Sequence, residues 1–481
     1  MSTCSIEARL SPLPLLAAAE SYRGSMIDLE QGRIIRPDSF RRGWSALTLS
    51  LADFGLVEGQ RVVLAVSNGP SFIASLLAVI KRGGSPILAH AKSPPAELVR
   101  TARHFGARHI LSSEWKCKEF RGATDGAYKL DFAWSDLVWA NVFDDLENSG
   151  PPLVGVPLHP TSGTTGRPKI AVRPAEVALA EATHYIDTIG IDSQDVVLAA
   201  TPQSHAYAYG MGVMVPLLSG ASIVTMRMFN PLLVRRAFTD HRVTIFPAVP
   251  AMLDMLLLEP AAELGITARA LFSAGAPLPQ RTASEFRERT GLTVRPLYGT
   301  TETGGISVGS EEHGRVAGCV GPAMEGVEVF VQPHDEDQVA GLGRLLVRSP
   351  SMMAGYLESS GIDASPLVDG WFETGDLASL DPQAAICLCG RQTDLINVCG
   401  MKVIPSEVET VLAAVPGVAE VKVYGRDTVK AVIVPEGEID QATVHRHCEQ
   451  QLVYYKRPTQ LTLMAGLPKT PSGKVIRDQL P

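Results

Sequence analysis

A loop rich in hydroxyl side chains, residues 161–169, follows a run at 154–159 that is predicted to be a strand and precedes another apolar run from Ile170. Its residues are Thr161, Ser162, Gly163, Thr164, Thr165, Gly166, Arg167, Pro168 and Lys169. The glycines allow a tight turn and a close approach of the backbone to an anion, while the hydroxyls and free N–H groups offer donors to phosphate oxygens. Lys169 adds a mobile positive charge. The loop therefore predicts a phosphate-binding site.

The loop differs from the phosphate-binding loop of the common nucleoside triphosphatases. That pattern places a lysine directly after its second glycine and then a Ser or Thr, whereas Lys169 stands three residues after Gly166. Clusters of Gly, Ser, Thr and Pro also mark ordinary surface turns. The loop by itself therefore leaves two interpretations open, a phosphate site and a flexible turn.

The elements around the loop alternate between strand and helix. Residues 61–66 form a buried-strand pattern, a helical pattern follows until Gly83 and Gly84, and residues 86–89 resume a strand. After the loop, strands are predicted at 195–200, 221–226 and 243–246, and helices at 209–218 and 231–240. This alternation predicts an α/β fold with doubly wound sheets, in which ligands bind at strand C-termini.

The rest of the chain suggests further units. Short strands with Gly and Pro turns predict a β-rich subdomain from residue 307 to 388, and residues 113–152 are interpreted as a connecting and packing segment without a functional account. A tail of roughly 90 residues with its own mixed pattern is long enough for a small α+β domain. We expect an N-terminal domain over residues 1–390 and a mobile C-terminal domain over 391–481.

Composition limits the class of protein. A chain of 481 residues with a net charge of -8 is long enough for several domains and has no excess of basic residues for nucleic acid. Its odd number of cysteines, seven, predicts reduced thiols. No signal-peptide pattern and no apolar run of membrane-spanning length are visible. These features predict a cytoplasmic enzyme that neither inserts into a membrane nor binds nucleic acid.

Five motifs occur in one order along most of the chain. They are the loop at 161–169, Tyr298-Gly299-Thr300-Thr301-Glu302 in a turn predicted to follow the strand at Val294, the segment 370–376 ending in Asp376, Gly390-Arg391, and Pro471-Ser472-Gly473-Lys474. Together they resemble the adenylate-forming superfamily of acyl- and aryl-CoA synthetases, peptide-synthetase adenylation domains and luciferases. The resemblance implies a small C-terminal domain that rotates about a hinge. It also implies two reactions, formation of an acyl-AMP from ATP and transfer of the acyl group to a thiol.

The resemblance implies a role for each matched residue. Glu302 would bind Mg²⁺ and Thr301 the α-phosphate, and the loop with Lys169 would hold the other phosphates. Asp376 and Arg391 would hold the ribose, although an ion pair at the domain junction is the structural alternative. Lys474 would carry a cation to the reacting carboxylate. The remaining nucleotide contacts would come from Gly275, Ala276, Tyr298, Gly299 and Thr300.

The segment 203–210, Gln-Ser-His-Ala-Tyr-Ala-Tyr-Gly, occupies the family's acid-facing position. It has no carboxylate to pair with an α-ammonium group, so an α-amino acid is disfavoured. The spacing of His205 and Tyr207 resembles that of hydroxycinnamate ligases, which favours an aromatic acid, with medium-chain fatty acids left open. Outside the motif, both side chains would more often be core residues. Further pocket candidates are Ala248, Val249, Ser273, Gly299, Thr303 and Gly304.

The acceptor is the other open question. CoA is the leading hypothesis, the phosphopantetheine of a carrier protein is a close alternative, and a non-catalytic nucleotide-binding protein is a remote one. The hinge departs from the family pattern, because Thr393 stands where many relatives have Asp or Lys and Asp394 follows it. Either residue could absorb the rotation.

Overall fold

The computed structural model forms two compact units. The first comprises Met1–Arg315, Met324–Glu328 and Arg348–Phe372, and the second comprises Val316–Ala323, Val329–Val347 and Glu373–Pro481. The domain boundary expected at residues 390 and 391 remains a prediction. The residues that the structure describes are 11–142, 151–161, 169–260, 265–333, 341–398, 401–469 and 475–481.

Half of the described α-helices begin at a proline, whose fixed φ and missing N–H suit the first helical turn. The side chains of Asn230 and Asp440 cap two helix starts, at Pro231 and Gln441, by accepting backbone N–H bonds. The helices are α1 (Leu13–Ser21), α2 (Pro37–Asp53), α3 (Pro70–Lys81), α4 (Pro95–His104), α5 (Ala175–Ile189), α6 (Ala206–Tyr209), α7 (Val215–Ser219), α8 (Pro231–His241), α9 (Pro250–Leu257), α10 (Gln280–Thr290), α11 (Pro405–Ala413) and α12 (Gln441–Gln451). A π-helical turn, Gly210–Met214, joins α6 to α7.

The strands are short, and those in the interior of the first unit are buried on both faces. They are β1 (Met26–Asp28), β2 (Arg33–Ile35), β3 (Arg61–Ala65), β4 (Ser85–Leu88), β5 (Ala107–Ser112), β6 (Gly126–Phe132), β7 (Ser135–Asn141), β8 (Leu158–Thr161), β9 (Lys169–Val172), β10 (Val196–Ala199), β11 (Ser222–Thr225), β12 (Ile245–Ala248), β13 (Ala270–Ser273), β14 (Arg295–Thr300), β15 (Gly304–Val308), β16 (Cys319–Pro322), β17 (Glu328–Pro333), β18 (Gly343–Arg348), β19 (Gly355–Glu358), β20 (Gly361–Asp363), β21 (Leu367–Val368), β22 (Trp371–Leu380), β23 (Ala385–Arg391), β24 (Ile396–Val398), β25 (Met401–Val403), β26 (Val418–Tyr424), β27 (Lys430–Pro435) and β28 (Gln460–Leu463).

The first unit is built on two mixed sheets. One has the order β15-β14-β13-β12-β10-β11-β1-β2, and the other β20-β19-β9-β8-β4-β3-β5-β7-β6. Their central strands are parallel, as the alternation of strand and helix predicts, while the outer pairs β14–β15, β8–β9 and β9–β19 are antiparallel. The α/β fold class is confirmed, with antiparallel edges added to the predicted doubly wound sheets.

The remaining sheets are smaller. A six-stranded sheet has the order β16-β23-β22-β18-β17 with β21 beside β22, which confirms the predicted β-rich region. Strands β24 and β25 form a hairpin, and β26-β27-β28 form a three-stranded sheet. Helices α11 and α12 contribute Val408, Leu412 and Val444 to a separate hydrophobic core with these last strands. The tail thus has its own α+β core, as the sequence pattern predicts.

Three local predictions differ from the structure. Residues 126–141 form the hairpin β6–β7 and extend the nine-stranded sheet, where His109 stacks on Trp139 with ring centroids 4.6 Å apart. The strand predicted at 154–159 begins only at Leu158. The motif Tyr298–Thr300 belongs to β14 rather than to the following turn. In each case strand pairing, which the local pattern does not encode, decides the boundary.

No helix among the described residues combines the length and apolar character that crossing a bilayer requires. Two apolar clusters form the interior of the first unit, one including Val224, Phe246 and Leu271 and the other including Val63, Ile110 and Ile170. These clusters hold in place the strands whose ends carry the candidate site residues.

Candidate functional site

The two ends of the predicted phosphate loop are held together. Strands β8 and β9 pair in antiparallel register, with Thr161 opposite Lys169. The predicted contacts of Ser162, Gly163, Thr164, Thr165 and Gly166 lie outside the described residues and remain predictions. Strand β8 itself pairs in parallel with β4. Thr161 therefore lies at the carboxyl end of a strand with a parallel neighbour, which is where the fold class places ligands.

Lys169 and Glu302 both contact the side chain of Tyr356. The hydroxyl of Tyr356 donates to Oε1 of Glu302 at 2.8 Å, and Nζ of Lys169 lies 4.7 Å from the centroid of the Tyr356 ring. Burial, followed by the charge of Glu302, raises the pKa of Tyr356, so the phenol keeps its proton and acts as a donor. The structure thus brings together the predicted metal ligand and the loop lysine. Sequence analysis did not identify Tyr356, because its partners are 54 and 187 positions away in the chain.

A tight turn carries Thr301 and Glu302 between β14 and β15. The N–H groups of Thr300 and Thr303 each donate to the hydroxyl of the other, at 3.3 and 3.2 Å, and the two hydroxyls are 3.0 Å apart. The N–H of Met353 donates to the carbonyl of Glu302 at 2.7 Å. Thr300 and Thr303, predicted to contact nucleotide and acid, therefore use their hydroxyls to close the turn that presents Thr301 and Glu302.

Glycines are required where this turn packs against its neighbours. A Cβ atom on Gly299 would lie 2.3 Å from the carbonyl oxygen of Gly304, and one on Gly304 would lie 2.8 Å from Nη2 of Arg173. Gly304 also has a φ of +72°, in the left-handed region that disfavours other residues. Side chains at these positions would push the turn away from the strands that hold it.

A buried ion pair supports the turn from behind. Nη2 of Arg173 lies 2.8 Å from Oε2 of Glu181, with the two side chains 0% and 1% exposed. The same Nη2 donates to the carbonyl of Ser351 at 3.2 Å, and Oε1 of Glu181 accepts the N–H of Gly305 at 3.0 Å. The sequence offered one signal for this pair, since Glu181 lies at helical spacing from the apolar residues Ala178 and Tyr185.

The acid-facing segment begins a short helix. His205 is the residue before α6, and its ring centroid lies 6.3 Å from that of His90. Gln203 anchors the segment, because its Oε1 accepts the N–H of Gly69 at 2.8 Å and its Nε2 donates to the carbonyl of Gly212 at 3.2 Å. The helix then continues into the π-helical turn, and a break of this kind is frequent at functional sites.

Several buried polar atoms near this segment have no hydrogen-bond partner in the described part of the chain. They are both ring nitrogens of His159, the hydroxyls of Tyr207 and Tyr209, and Oγ of Ser273. The rings of His159 and Tyr209 meet edge to face at 4.8 Å. Burial, followed by the charges of Arg173 and His205, lowers the pKa of His159, so its imidazole is neutral. The surroundings of Tyr207 and Tyr209 therefore contain buried hydrogen-bonding groups that have no partner among the described residues.

The other pocket candidates lie on neighbouring strands. Ala248 and Ser273 are register partners at the ends of β12 and β13, and both are buried. Val249 is the residue before α9. Gly275 has a φ of +81°, and a Cβ atom added to it would lie 3.8 Å from Cγ1 of Val249. Two predicted contacts, Gly275 and Ala276, thus lie two and three residues beyond the carboxyl end of a buried parallel strand.

In the second unit, the two predicted ribose ligands face each other. Asp376 on β22 and Arg391 at the end of β23 are register partners, and Nε of Arg391 lies 3.2 Å from Oδ1 of Asp376. The side chain of Arg391 is 49% exposed. Asp376 and Arg391 therefore form an ion pair, which lies within the second unit.

The segment bearing Lys474 is tied at both ends. Lys469 and Val475 form an antiparallel bridge, and Lys474 itself lies outside the described residues. Two residues after the bridge, the guanidinium of Arg477 forms a double hydrogen bond with the carboxylate of Asp394. Thr393, the other hinge candidate, donates its hydroxyl to Oδ1 of Asp394 at 3.2 Å. Asp394 thus connects the predicted hinge with the segment that follows Lys474.

The chemistry of Glu302 fits a magnesium ion that arrives with a nucleotide. Within the described ranges, no group of three or more His, Cys, Asp or Glu side chains forms a metal cage. Mg²⁺ in nucleotide sites takes one or two protein carboxylates and otherwise phosphates and waters. One oxygen of Glu302 accepts from Tyr356, which leaves the second as a hard, anionic ligand. A single carboxylate beside a phosphate loop meets this need.

Comparisons with known proteins agree with the geometry. The family model described as AMP-binding enzyme matches residues 41–357, and the model described as AMP-binding enzyme C-terminal domain matches residues 407–474. The chain is 26% identical to 4-coumarate–CoA ligase 1 of Oryza sativa subsp. japonica, covering 90% of this chain and 84% of the relative. It is 28% identical to 2-succinylbenzoate–CoA ligase of Bacillus licheniformis, covering 89% and 91%.

A solved structure supports the fold. O-succinylbenzoate coenzyme A synthetase (MenE) from Bacillus subtilis, in complex with ATP and magnesium ion, superimposes with a TM-score of 0.79 at 23% identity. The superposition covers 97% of this chain and 98% of that one. At this identity the likeness concerns the fold, and it extends over both family-model matches.

Proposed function

The chain belongs to the AMP-binding enzyme family and is an ATP-dependent, AMP-forming acid–CoA ligase, and we propose that its preferred acid is aromatic. In the first reaction a carboxylate oxygen bonds to the α-phosphorus of ATP and pyrophosphate leaves. In the second, the sulfur of CoA bonds to the acyl carbon, AMP leaves with the electrons of the broken C–O bond, and the thiol proton is released. The products are a thioester and AMP.

We assign the phosphate end of ATP to the first unit. Two anions must approach each other in the first reaction, so the site has to neutralise charge and align the groups. Lys169 and the loop beside it would hold the phosphates, the hydroxyl of Thr301 would contact the α-phosphate, and Glu302 would hold Mg²⁺. The bound cation supplies charge neutralisation on the phosphates. The rigid turn closed by Thr300 and Thr303 supports this role, because it holds both residues without help from the ligand.

We assign the nucleoside and the swinging cation to the other predicted contacts. Asp376 would accept from the ribose hydroxyls and Arg391 would donate to the same sugar, while Gly275 and Tyr298 would flank the adenine ring. Lys474 would place its ammonium group between the carboxylate and the α-phosphate during the first reaction only. The paired carboxylate and guanidinium of Asp376 and Arg391 support a ligand with adjacent hydroxyl groups.

The observation that carries the acid assignment is the state of Tyr207. Its ring is half-buried, whereas its hydroxyl is buried and has no partner among the described residues. An unpaired buried hydroxyl costs about 1–3 kcal/mol, so a ligand that supplies a partner is favoured over one that does not. An aromatic acid with a polar ring substituent can stack on the ring and pair with such groups. A saturated chain would leave the hydroxyls of Tyr207 and Tyr209 and the nitrogens of His159 unsatisfied.

A panel of acids tests the assignment through pyrophosphate release. Matched pairs, benzoate with 4-hydroxybenzoate and cinnamate with 4-hydroxycinnamate, are compared with decanoate and phenylalanine. We expect the aromatic acids to give the highest kcat/KM and each hydroxylated acid to exceed its parent by about tenfold. Higher rates with decanoate or phenylalanine than with every aromatic acid would refute the proposal.

The acceptor is tested in the second reaction. AMP release from enzyme-bound acyl-AMP is followed with free CoA and, in parallel, with candidate holo carrier proteins. We expect CoA to suffice, and a requirement for a carrier protein would assign the thiol to its phosphopantetheine arm. We also propose a cytoplasmic location, where ATP and CoA are available and where the five described cysteines can remain free thiols.

A further inference from the structure

Three segments that are distant in sequence converge on the aromatic ring of Tyr356. Lys169 begins β9, Glu302 lies in the turn before β15, and Tyr356 lies on β19. The tyrosine hydroxyl bonds the carboxylate at 2.8 Å, and the ammonium group lies 4.7 Å from the ring centroid. Tyr356 is 9% exposed, whereas Lys169 and Glu302 are partly exposed. One side chain thus contacts both predicted charged ligands of the nucleotide.

Strand pairing fixes the position of Tyr356 relative to Lys169. In the antiparallel pair β9–β19, Tyr356 is the register partner of Ala171, and Lys169 lies two residues before Ala171 on the same face of the sheet. The segment before β19 also binds the turn, because Met353 N–H donates to the Glu302 carbonyl at 2.7 Å. The ring is therefore placed by strand pairing rather than by the two charges that it contacts.

The ring acts differently on the two charges. It attracts the ammonium group of Lys169 through its π face, and it donates a hydrogen bond to Glu302 through its edge. A flexible lysine near a carboxylate would otherwise be free to form a direct ion pair, and Mg²⁺ and phosphate would then have to break that pair.

We propose that Tyr356 is a positioning residue of the first reaction, which keeps Lys169 and Glu302 apart and each oriented for its own part of Mg²⁺–ATP. The inference rests on the proposed role of Glu302 as the metal ligand. Partners that orient a ligating carboxylate contribute about 10–100-fold to metal affinity in other sites. The hydroxyl and the ring of Tyr356 therefore have separable effects, the first on the metal and the second on the phosphates.

Two substitutions separate these effects. Tyr356→Phe keeps the ring and removes the hydroxyl, so we expect the Mg²⁺ concentration for half-maximal pyrophosphate release to rise about tenfold, with little change in the KM for ATP at saturating Mg²⁺. Tyr356→Leu removes both, so the KM for ATP at saturating Mg²⁺ should rise as well, by about threefold to tenfold. Tyr128→Phe, which removes an exposed tyrosine hydroxyl on β6, is the matched control and should leave both quantities unchanged.

A binding measurement without turnover completes the test. Mn²⁺ serves as a paramagnetic probe, and its binding in the presence of ATP and absence of acid is followed by electron paramagnetic resonance. Tyr356→Phe should weaken Mn²⁺ binding about tenfold, but it should have no further effect in a Glu302→Gln background. An equal effect in both backgrounds, or unchanged Mn²⁺ binding in folded Tyr356→Phe, would overturn the inference. If Mn²⁺ binding depends on Tyr356 as expected but the enzyme shows no preference for aromatic acids, only the proposed substrate would be refuted.

Discussion

Arg173 and Glu181 in the first unit form an ion pair with side chains 0% and 1% exposed, whereas Arg477 and Asp394 in the second unit form one with side chains 44% and 13% exposed. The buried pair also accepts the N–H of Gly305 and donates to the carbonyl of Ser351, so it supports the turn that carries the predicted ligands Thr301 and Glu302. The exposed pair connects a predicted hinge residue to the segment after Lys474. Water can replace either partner of the exposed pair at small cost, but neither partner of the buried pair.

This difference corresponds to what the two reactions demand. Groups that bind the phosphates must stay in place through both steps, so a rigid, desolvated support suits them. A lysine that serves only the first reaction must leave afterwards, so weak and reversible contacts suit the segment that carries it. The predictions below test this contrast, beginning with the largest expected effect.

Breaking the buried pair should destabilise the protein most. Arg173→Leu leaves the Glu181 carboxylate buried without its cation, so we expect a loss of about 3–5 kcal/mol in the free energy of unfolding. The double variant with Glu181→Leu should recover part of this loss, because no charge is then left unpaired. Chemical denaturation measures both. Arg348→Met at the exposed Arg348–Glu328 pair is the control and should show no measurable change. Equal effects at the two pairs would remove the contrast.

Removing the swinging cation should separate the two reactions. Lys474→Ala is expected to slow pyrophosphate release by about two to three orders of magnitude, because a charge contact is lost in the transition state. Transfer from supplied acyl-AMP to CoA should remain near the wild-type rate. Single-turnover assays of each half-reaction provide the measurement. If both half-reactions slowed equally in a folded variant, Lys474 would not be a cation reserved for the first step.

Altering the metal ligand and the ribose ligand should affect ATP use in different ways. Glu302→Gln removes a hard anionic ligand, so a higher Mg²⁺ concentration should be needed for activity. Asp376→Ala should raise the KM for ATP by about tenfold, as expected for lost hydrogen bonds to a charged group. Steady-state kinetics at varied Mg²⁺ and ATP distinguish the two variants. Identical metal and ATP dependence in both would show that the nucleotide binds elsewhere.

Loosening the exposed pair should have the smallest effect on stability. Arg477→Met is expected to change the free energy of unfolding by less than about 1 kcal/mol, since both charges can be solvated once separated. The ratio of the two half-reaction rates should change more than the stability does, because Asp394 adjoins the predicted hinge. Denaturation and the two single-turnover assays measure these quantities together. A large loss of stability would mean that the pair is structural rather than switchable.

The buried polar groups of His159, Tyr207 and Tyr209, like the charges of the buried ion pair, cost stability when they have no partner. Tyr207→Phe removes an unpartnered hydroxyl, so preference for hydroxylated over unsubstituted aromatic acids should fall by about threefold to tenfold while stability is kept or increased. The ratio of kcat/KM for 4-hydroxycinnamate and cinnamate measures the preference. Loss of activity with both acids alike would assign Tyr207 to packing instead.

Much of the fold was readable from local patterns. Apolar runs at 61–66 and 86–89 correspond to β3 and β4, and the separate core of the tail was expected from its own periodicity. The residues 126–141 were not recognised as strands, because β7 is buried at four consecutive positions and lacks a two-residue alternation. Its identity as a strand depends on β5 and β6, which flank it in the sheet.

The candidate site likewise contains residues that the sequence predicts and residues that only the structure reveals. Residue type and order along the chain are sufficient to indicate the phosphate loop, the Mg²⁺ carboxylate and the ribose carboxylate, because each motif is contiguous and its chemistry is carried by a few adjacent groups. The support of the site comes from Tyr356, Arg173 and Glu181, which meet the motifs only after β9 has paired with β19 and α5 has packed against β15. Contacts between residues far apart in the chain depend on sheet register and helix packing, and these are set by the burial of many side chains at once. The sequence alone therefore determined which groups are predicted to perform the chemistry, and the tertiary structure decided which groups hold them in place.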